Sequence, residues 1–242
     1  TSYMNKTKNV KNQNKSVKKV EQEVRPEPQQ MDPLLVEILK KCNLTVKQAE
    51  KAKEGQVLNG CLFLLQMEYQ SEAFEDRQDI KFVIAHQLES VSPGMFSNCS
   101  NLGQVFAPQL VRIRSDTDLF QFGSFQGTAL TQICFPKLIY VGKFAFADCL
   151  KLVSADLPLC ETVAEGAFKG CSALSNLNLK NVRTLGPNAF VDCTTLEQVD
   201  LPHCEEVGED AFRGCSVLNI LTLYNSKIEQ NTAFPCKQGY SN

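Results

Sequence analysis

One phrase recurs four times in this chain, and its spacing limits the available folds more than any other feature. It reads Ala145-Phe146-Ala147-Asp148-Cys149, Ala167-Phe168-Lys169-Gly170-Cys171, Ala189-Phe190-Val191-Asp192-Cys193 and Ala211-Phe212-Arg213-Gly214-Cys215. Each copy begins 22 residues after the one before, and Leu152, Leu174, Leu196 and Leu218 keep the same step. A fixed period of this length marks a stack of short structural units. One unit cannot bury its apolar face alone, so each must cover its neighbour's. The rest of the chain is then read as cap, tail or binding surface for that stack.

The copy from Val182 to Leu201 shows what each position does. Val182, Leu185, Ala189, Phe190, Cys193, Leu196, Val199 and Leu201 recur in the good copies and are assigned to the interior. Leu196-x-x-Val199-x-Leu201 ends in the alternation of a strand, and Val182-x-x-Leu185-Gly186 is a second, shorter strand. Pro202, like Pro108, Pro136 and Pro158, closes the first strand, because proline cannot extend a hydrogen-bonded ladder. Ala-Phe-x-x-Cys is a tight turn whose phenylalanines stack into a spine. Degenerate copies extend the pattern backwards through Met95-Phe96-Ser97-Asn98-Cys99 to Ala73-Phe74, where Arg77 takes the cysteine position. From Phe96 to Phe125 the interval is 29 residues. The excess is placed between Ile113 and Phe122, as a loop at 114–121 pushed out of one coil, and Thr128 replaces the cysteine there. Phe234 begins a last partial coil, broken by Pro235.

The phrase Leu-Pro-x-Cys-x-x-Val-Gly-x-x-Ala-Phe-x-x-Cys-x-x-Leu-x-x-Val-x-Leu resembles the BspA-like class of leucine-rich repeat, found in bacterial and protist proteins. The resemblance covers roughly residues 66–236 and is strongest in 138–223. It implies a mainly β, right-handed solenoid of 22-residue coils, about seven of them, that binds other macromolecules. Many members of the class are surface or secreted adhesins of microbes.

Four segments are expected: a basic tail (1–30), a helical N-terminal cap (31–65), the solenoid (66–236) and a polar end (237–242). Residues 1–30 hold seven basic and three acidic residues, a charge of +4; with −2 for the whole chain, −6 remains on the rest. A basic arm on an acidic body suggests contact with an anionic surface through Lys6, Lys8, Lys11, Lys15, Lys18 and Lys19, although the same composition also suits a solvated tail. In the cap, Asp32-Pro33 is a helix start, and Leu34, Leu35, Ile38, Leu39 and Cys42 share one face. Thr45 and Gln48 form a capping box for a second helix, expected to run to Gly55. Residues 32–65 are expected to cover the first coil.

Little in the sequence points to catalysis, and the chain is expected to be no enzyme and to need no cofactor or metal. His86 and His203 are the only histidines, both read as surface residues, and no phosphate-binding glycine loop or Cys-x-x-Cys pair occurs. The eleven cysteines fall mostly at repeat positions, as buried free thiols acting as small hydrophobes. Free thiols suit a reducing compartment, and no secretory leader or 18-residue apolar run is visible. The expected placement is therefore cytoplasmic, as a protein–protein scaffold in a larger, cytoskeletal or other polymeric assembly, with self-association through an open terminal coil. The alternative is a secreted or cell-surface adhesin. Nucleic acid is disfavoured by the acidic body. In Leu-x-x-Val-x-Leu the residues flanking the valine point outward. They form two columns, Gln104, Gln132, Ser154, Asn176, Gln198 and Ile220, and Phe106, Cys134, Asp156, Asn178, Asp200 and Thr222, taken as the candidate binding face. A rival face carries Tyr140, Thr162, Thr184 and Glu206 with Glu161, Arg183 and Glu205; the loop at 114–121 is a third candidate.

Overall fold

A computed structural model describes residues 31–115 and 122–223. The described residues from Asp32 onward belong to one compact unit. The basic tail with Lys6 to Lys19, most of the loop at 114–121 and the last partial coil lie outside the described residues.

The described residues open with two helices. Helix α1 (Pro33–Lys41) starts as its sequence requires: the Asp32 carboxylate accepts from Leu34 N–H at 2.8 Å, and proline occupies the first turn. Ile38, Leu39 and Cys42 are buried. Helix α2 (Val46–Glu50) opens on the expected capping box but is only five residues long. It ends at Lys51 rather than running to Gly55, because Gly55 N–H is already committed to the Phe63 carbonyl (2.9 Å) of a hairpin. That hairpin joins β1 (Val57–Leu58) to β2 (Cys61–Phe63), antiparallel, through Asn59-Gly60 with both φ angles positive (50° and 80°). Such a turn matches the twist of the two strands.

From β2 onward every strand pairing is parallel. The strands β3 (Phe82–Ile84), β5 (Gln104–Phe106), β7 (Gln132–Cys134), β9 (Ser154–Asp156), β11 (Asn176–Asn178), β13 (Gln198–Leu201) and β15 (Ile220–Leu223) build the first wall. It comprises three sheets, ordered β1-β2-β3-β5, β7-β9-β11 and β13-β15. The two-residue strands β4 (Ser90–Val91), β6 (Arg112–Ile113), β8 (Tyr140–Val141), β10 (Thr162–Val163), β12 (Thr184–Leu185) and β14 (Glu206–Val207) make one continuous six-stranded second sheet. Partners are 22 residues apart, as in Ala155 with Leu177 and Val163 with Leu185. The exceptions are β2 with β3, where Leu62 pairs with Val83 at a step of 21, and Ile113 with Val141, across the inserted loop. The coil carrying that loop is also one residue short after its turn, since Phe125 to Phe146 spans 21 residues.

The interior is the one the repeat demands. Val182, Leu185, Ala189, Phe190, Cys193, Leu196, Val199 and Leu201 are all 2% exposed or less. Seven phenylalanine rings, Phe74, Phe96, Phe125, Phe146, Phe168, Phe190 and Phe212, form one stack with centroids 5.2 to 5.6 Å apart and planes within 15°. The spacing exceeds the 4.8 Å of a strand ladder, as offset rings allow.

The cysteine column beside this stack is more than apolar filling. The carbonyls of Phe146, Phe168 and Phe190 each accept the backbone N–H of their own coil's Cys and the thiol of the next: Phe146 O takes Cys149 N (3.3 Å) and Cys171 Sγ (3.1 Å). Cys99, Cys149, Cys193 and Cys215 repeat the thiol bond to Phe74, Phe125, Phe168 and Phe190. A weak S–H donor thus satisfies a buried carbonyl lone pair that a valine would leave bare. Thr128 fills the gap in the column with a hydroxyl, 2.8 Å from Phe125 O. Burial pushes the Cys171 and Cys193 thiols well up, Cys99 to about 11 and Cys149 to about 12.

At the turn, Asn98, Asp148 and Asp192 alternate with Gly127, Gly170 and Gly214, all with positive φ. A Cβ on Gly170 would come 2.5 Å from Asp148 Oδ1, so each acid leans over the glycine of the next coil.

Candidate binding surface

The first wall presents the outward column positions, and the structure divides them in two. Over β2, β3 and β5 the outward side chains are covered by the helical cap. Gln104 is only 4% exposed and Phe106 6%, which corrects their assignment to an open face. They do point away from the coil interior, but α1 lies on them. Gln104 donates to Glu37 Oε1 (3.1 Å) and accepts from Lys41 Nζ (3.2 Å). Lys41 and then Gln104 hold the Glu37 carboxyl below its ordinary value. The Phe106 ring takes the His86 ring edge-on at 5.2 Å. The helices therefore lie across the wall, and within residues 32–65 it is β1 that covers the edge of the first coil, a paired edge being safe from further strand addition. Asn59 Nδ2 ties the β1–β2 turn to α1 through the Cys42 carbonyl at 2.8 Å.

From β7 on no helix among the described residues covers the face. Gln132, Asn176, Gln198, Asp156 and Asp200 are exposed; Ser154, Asn178 and Thr222 are half-buried. Cys134 is exposed, the one such cysteine among those described. Neighbouring coils bond along the column: Asn178 Nδ2 donates to Asp156 Oδ1 (2.7 Å), and Cys134 Sγ lies 3.7 Å from Asp156 Oδ2. Burial, then the Asp156 charge, raises the Cys134 thiol. These five strands contain two aspartates and no lysine or arginine.

The rival face on the second sheet is arranged differently. Its charges pair with one another from coil to coil, Arg183 with Glu205 at 2.7 Å and Lys143 with Glu165 at 3.4 Å. Ile139 and Leu159 are exposed beside Arg183 and His203 in a shallow hollow. Of the third candidate, only Arg114 and Ser115 are described. Ser115 Oγ meets the Tyr140 hydroxyl at 3.1 Å, and an Arg114 guanidinium nitrogen stands 3.9 Å from Glu68.

Sequence reasoning missed the coverage of Gln104 and Phe106. The available signal was the amphipathic helix itself, whose buried stripe of Ile38, Leu39 and Cys42 needs a partner surface. It also missed that Leu177, the inward residue of β11, is only partly buried while its counterparts Ala155 and Val199 are closed off.

This geometry defines a parallel-sheet solenoid of the leucine-rich repeat class. The BspA type leucine-rich repeat region, in six copies, matches residues 67–122 and 118–238, and the chain belongs to that family. No curated protein matches. Among solved structures, a leucine-rich cell surface protein from Faecalibacterium prausnitzii is 21% identical with a TM-score of 0.32, over 65% of this chain and 63% of its own. A leucine-rich repeat protein from Bacteroides ovatus is 17% identical with a TM-score of 0.34, over 66% and 59%. The leucine-rich repeat protein of T. pallidum is 21% identical with a TM-score of 0.42, over 66% and 78%. The chain thus spans less than two thirds of the length of the first two. Among the described residues no helix is long and apolar enough to cross a membrane, and no group of His, Cys, Asp or Glu is placed to hold a metal ion.

Proposed function

We propose that this chain is a non-catalytic protein-binding module that uses the uncovered part of its first wall, from β7 to β15, and that it works at a cell surface. The observation that carries the reading is where the cap stops. α1 closes the outward positions of β5, whereas the same positions from Gln132 to Asp200 stay exposed or half-buried, and among the described residues no cation pairs with Asp156 or Asp200. Repeat surfaces of this kind are the usual contact faces of solenoids. The family and a cell-surface protein among the similar structures support the placement. It displaces the cytoplasmic, cytoskeleton-associated placement expected from the cysteines. Thiols buried at 2% exposure or less and bonded to carbonyls keep their protons in either compartment, so they do not favour a reducing one. The basic residues Lys6 to Lys19 are assigned a secondary, salt-sensitive contact with an anionic surface.

The test replaces Gln132, Asp156, Gln198 and Asp200 with alanine together, and in a separate chain Thr162, Thr184 and Glu206. Partners are captured from the native cells, and intact cells are labelled with an impermeant amine reagent. Loss of the specific partners in the first variant but not the second, with surface labelling, is expected. Retention of every partner by the first variant overturns the face, and labelling only after lysis overturns the placement.

A further inference from the structure

Between β11 and β13 the uncovered wall comes apart. On one side of this seam, Asn176 N–H bonds Val153 O (3.1 Å) and Leu157 N–H bonds Asn178 O (3.1 Å). On the other, Asn219 and Ile220 N–H both reach Glu197 O (3.0 and 3.3 Å). Across the seam no backbone hydrogen bond joins Ser175–Asn178 to Glu197–Asp200. The turn leading into β13 is instead held by two side chains, of which the Thr194 hydroxyl lies 3.3 Å from Ser172 O. The Thr195 hydroxyl lies 2.9 Å from Ser172 O and 3.0 Å from Leu174 O. Ala173 and Val217, the residues 22 before and after Thr195, have no such group.

The seam opens a cleft of about 300 Å³. Its apolar lining is Ala155 and Leu177, which explains why Leu177 is reached from outside. Its polar lining includes Asp156, Asn176, Asn178 and Gln198, and no lysine or arginine borders it. Asn178 Oδ1 is buried there without a hydrogen-bond donor, while its Nδ2 is spent on Asp156. Asp200 holds the next position in the same column. The cleft therefore joins an apolar strip to a surplus of acceptors and negative charge, and no backbone bond of the first wall spans it.

We propose that this seam receives an arginine side chain from a basic segment of the partner protein. The methylene stem packs on Leu177 and Ala155, and the guanidinium donates to the Asp156 carboxylate and to Asn178 Oδ1. Long cationic side chains combine an apolar stem and a charged head in this way. A planar fork of donors spans two separate acceptors better than the point charge of lysine. The inference deepens the proposed binding face and rests on it.

The probe is the tripeptide acetyl-Gly-Arg-Gly-amide, titrated into the isotope-labelled full chain and read by amide chemical shifts. Saturable shifts confined to Leu177, Asn178, Gln198 and their neighbours are expected. The citrulline tripeptide, neutral but of the same shape, should bind about tenfold more weakly, as loss of a charge-assisted bond implies. Asp156→Asn, an exposed change checked by an unaltered circular dichroism melt, should weaken the arginine tripeptide comparably. Absent shifts, shifts spread over the surface, equal binding of citrulline, or no effect of Asp156→Asn each overturn the proposal. The broader reading fails separately. If the seam ignores arginine while the four-alanine face variant still loses its partners, only the arginine assignment falls. If the seam takes arginine but that variant keeps every partner, the binding face falls.

Discussion

Phe168→Ala tests the spine where it is most constrained. The Phe168 ring is 0% exposed and lies between Phe146 and Phe190, both at 5.2 Å, with interplanar angles of 15° and 2°. Removing a buried phenylalanine costs about 3–5 kcal/mol through lost transfer energy and an unfilled cavity. Two stacked contacts, each worth about 0.5–1.5 kcal/mol, place this site in the upper part of that range. Coils above and below are fixed by their own strands, so the hole cannot collapse easily. Phe74 offers the internal comparison. It is only partly buried, and its neighbours are the Tyr69 ring edge-on at 5.8 Å and Phe96 at 5.6 Å. Phe74→Ala should therefore cost about 1–2 kcal/mol. Both are measured by urea denaturation followed by far-ultraviolet circular dichroism, since the chain has no tryptophan. Because a solenoid is stabilised through nearest-neighbour interfaces, the central variant should also broaden the transition as the two halves uncouple. If Phe168→Ala prevents folding altogether, Phe168→Leu should give a loss of about 1–2 kcal/mol. A loss under about 1 kcal/mol for Phe168→Ala, or an equal loss at Phe74, would refute the view that the stack is a continuous core.

Three further outcomes are expected. Burial pushes the Cys149 and Cys160 thiols up to about 12 from an ordinary 9.0. The unfolded chain releases those protons first, so stability is full below about pH 9 and falls as pH rises towards about 12, by up to about 1.4 kcal/mol per pH unit for each thiol. Urea midpoints should show the fall, and Cys149→Val should flatten it; midpoints constant up to about pH 11 would contradict thiol burial. Gly170→Ala places a Cβ at φ +74° and 2.5 Å from Asp148 Oδ1, for a loss of about 1–2 kcal/mol. Adding Asp148→Gly should recover the clash but not the backbone strain, as thermal melts of the single and double variants would show. Iodoacetamide mapped by mass spectrometry should modify Cys134 before the other described cysteines; simultaneous labelling of Cys171 or Cys193 would place those thiols outside the core.

The repeat was readable because its chemistry is local and identical in each coil. A residue such as Cys171 or Phe190 meets its own equivalents 22 residues away, so the period names the contact as well as the element. The Asp148–Gly170–Asp192–Gly214 alternation was in plain view too, but its meaning depends on the sign of φ, which spacing does not reveal. The cap was harder. Asp32 and the Thr45–Gln48 box mark helix starts, yet where α1 lies follows from contacts between residues far apart, Glu37 and Lys41 with Gln104. By its apolar pattern alone, Leu58 to Tyr69 suits a helix and a strand equally. Asn59-Gly60 resolves the first part as a hairpin only once β3 is present to receive β2.

The sequence by itself determined the coil, its period, its buried positions and the family, because each of these is set by short-range patterning repeated many times over. The tertiary structure alone decided which outward residues stay open. Gln104 and Gln132 occupy the same position in successive coils, and nothing in their own surroundings along the chain distinguishes them. One lies under α1 and the other does not, because the reach of a nine-residue helix, rather than the repeat, sets where coverage ends.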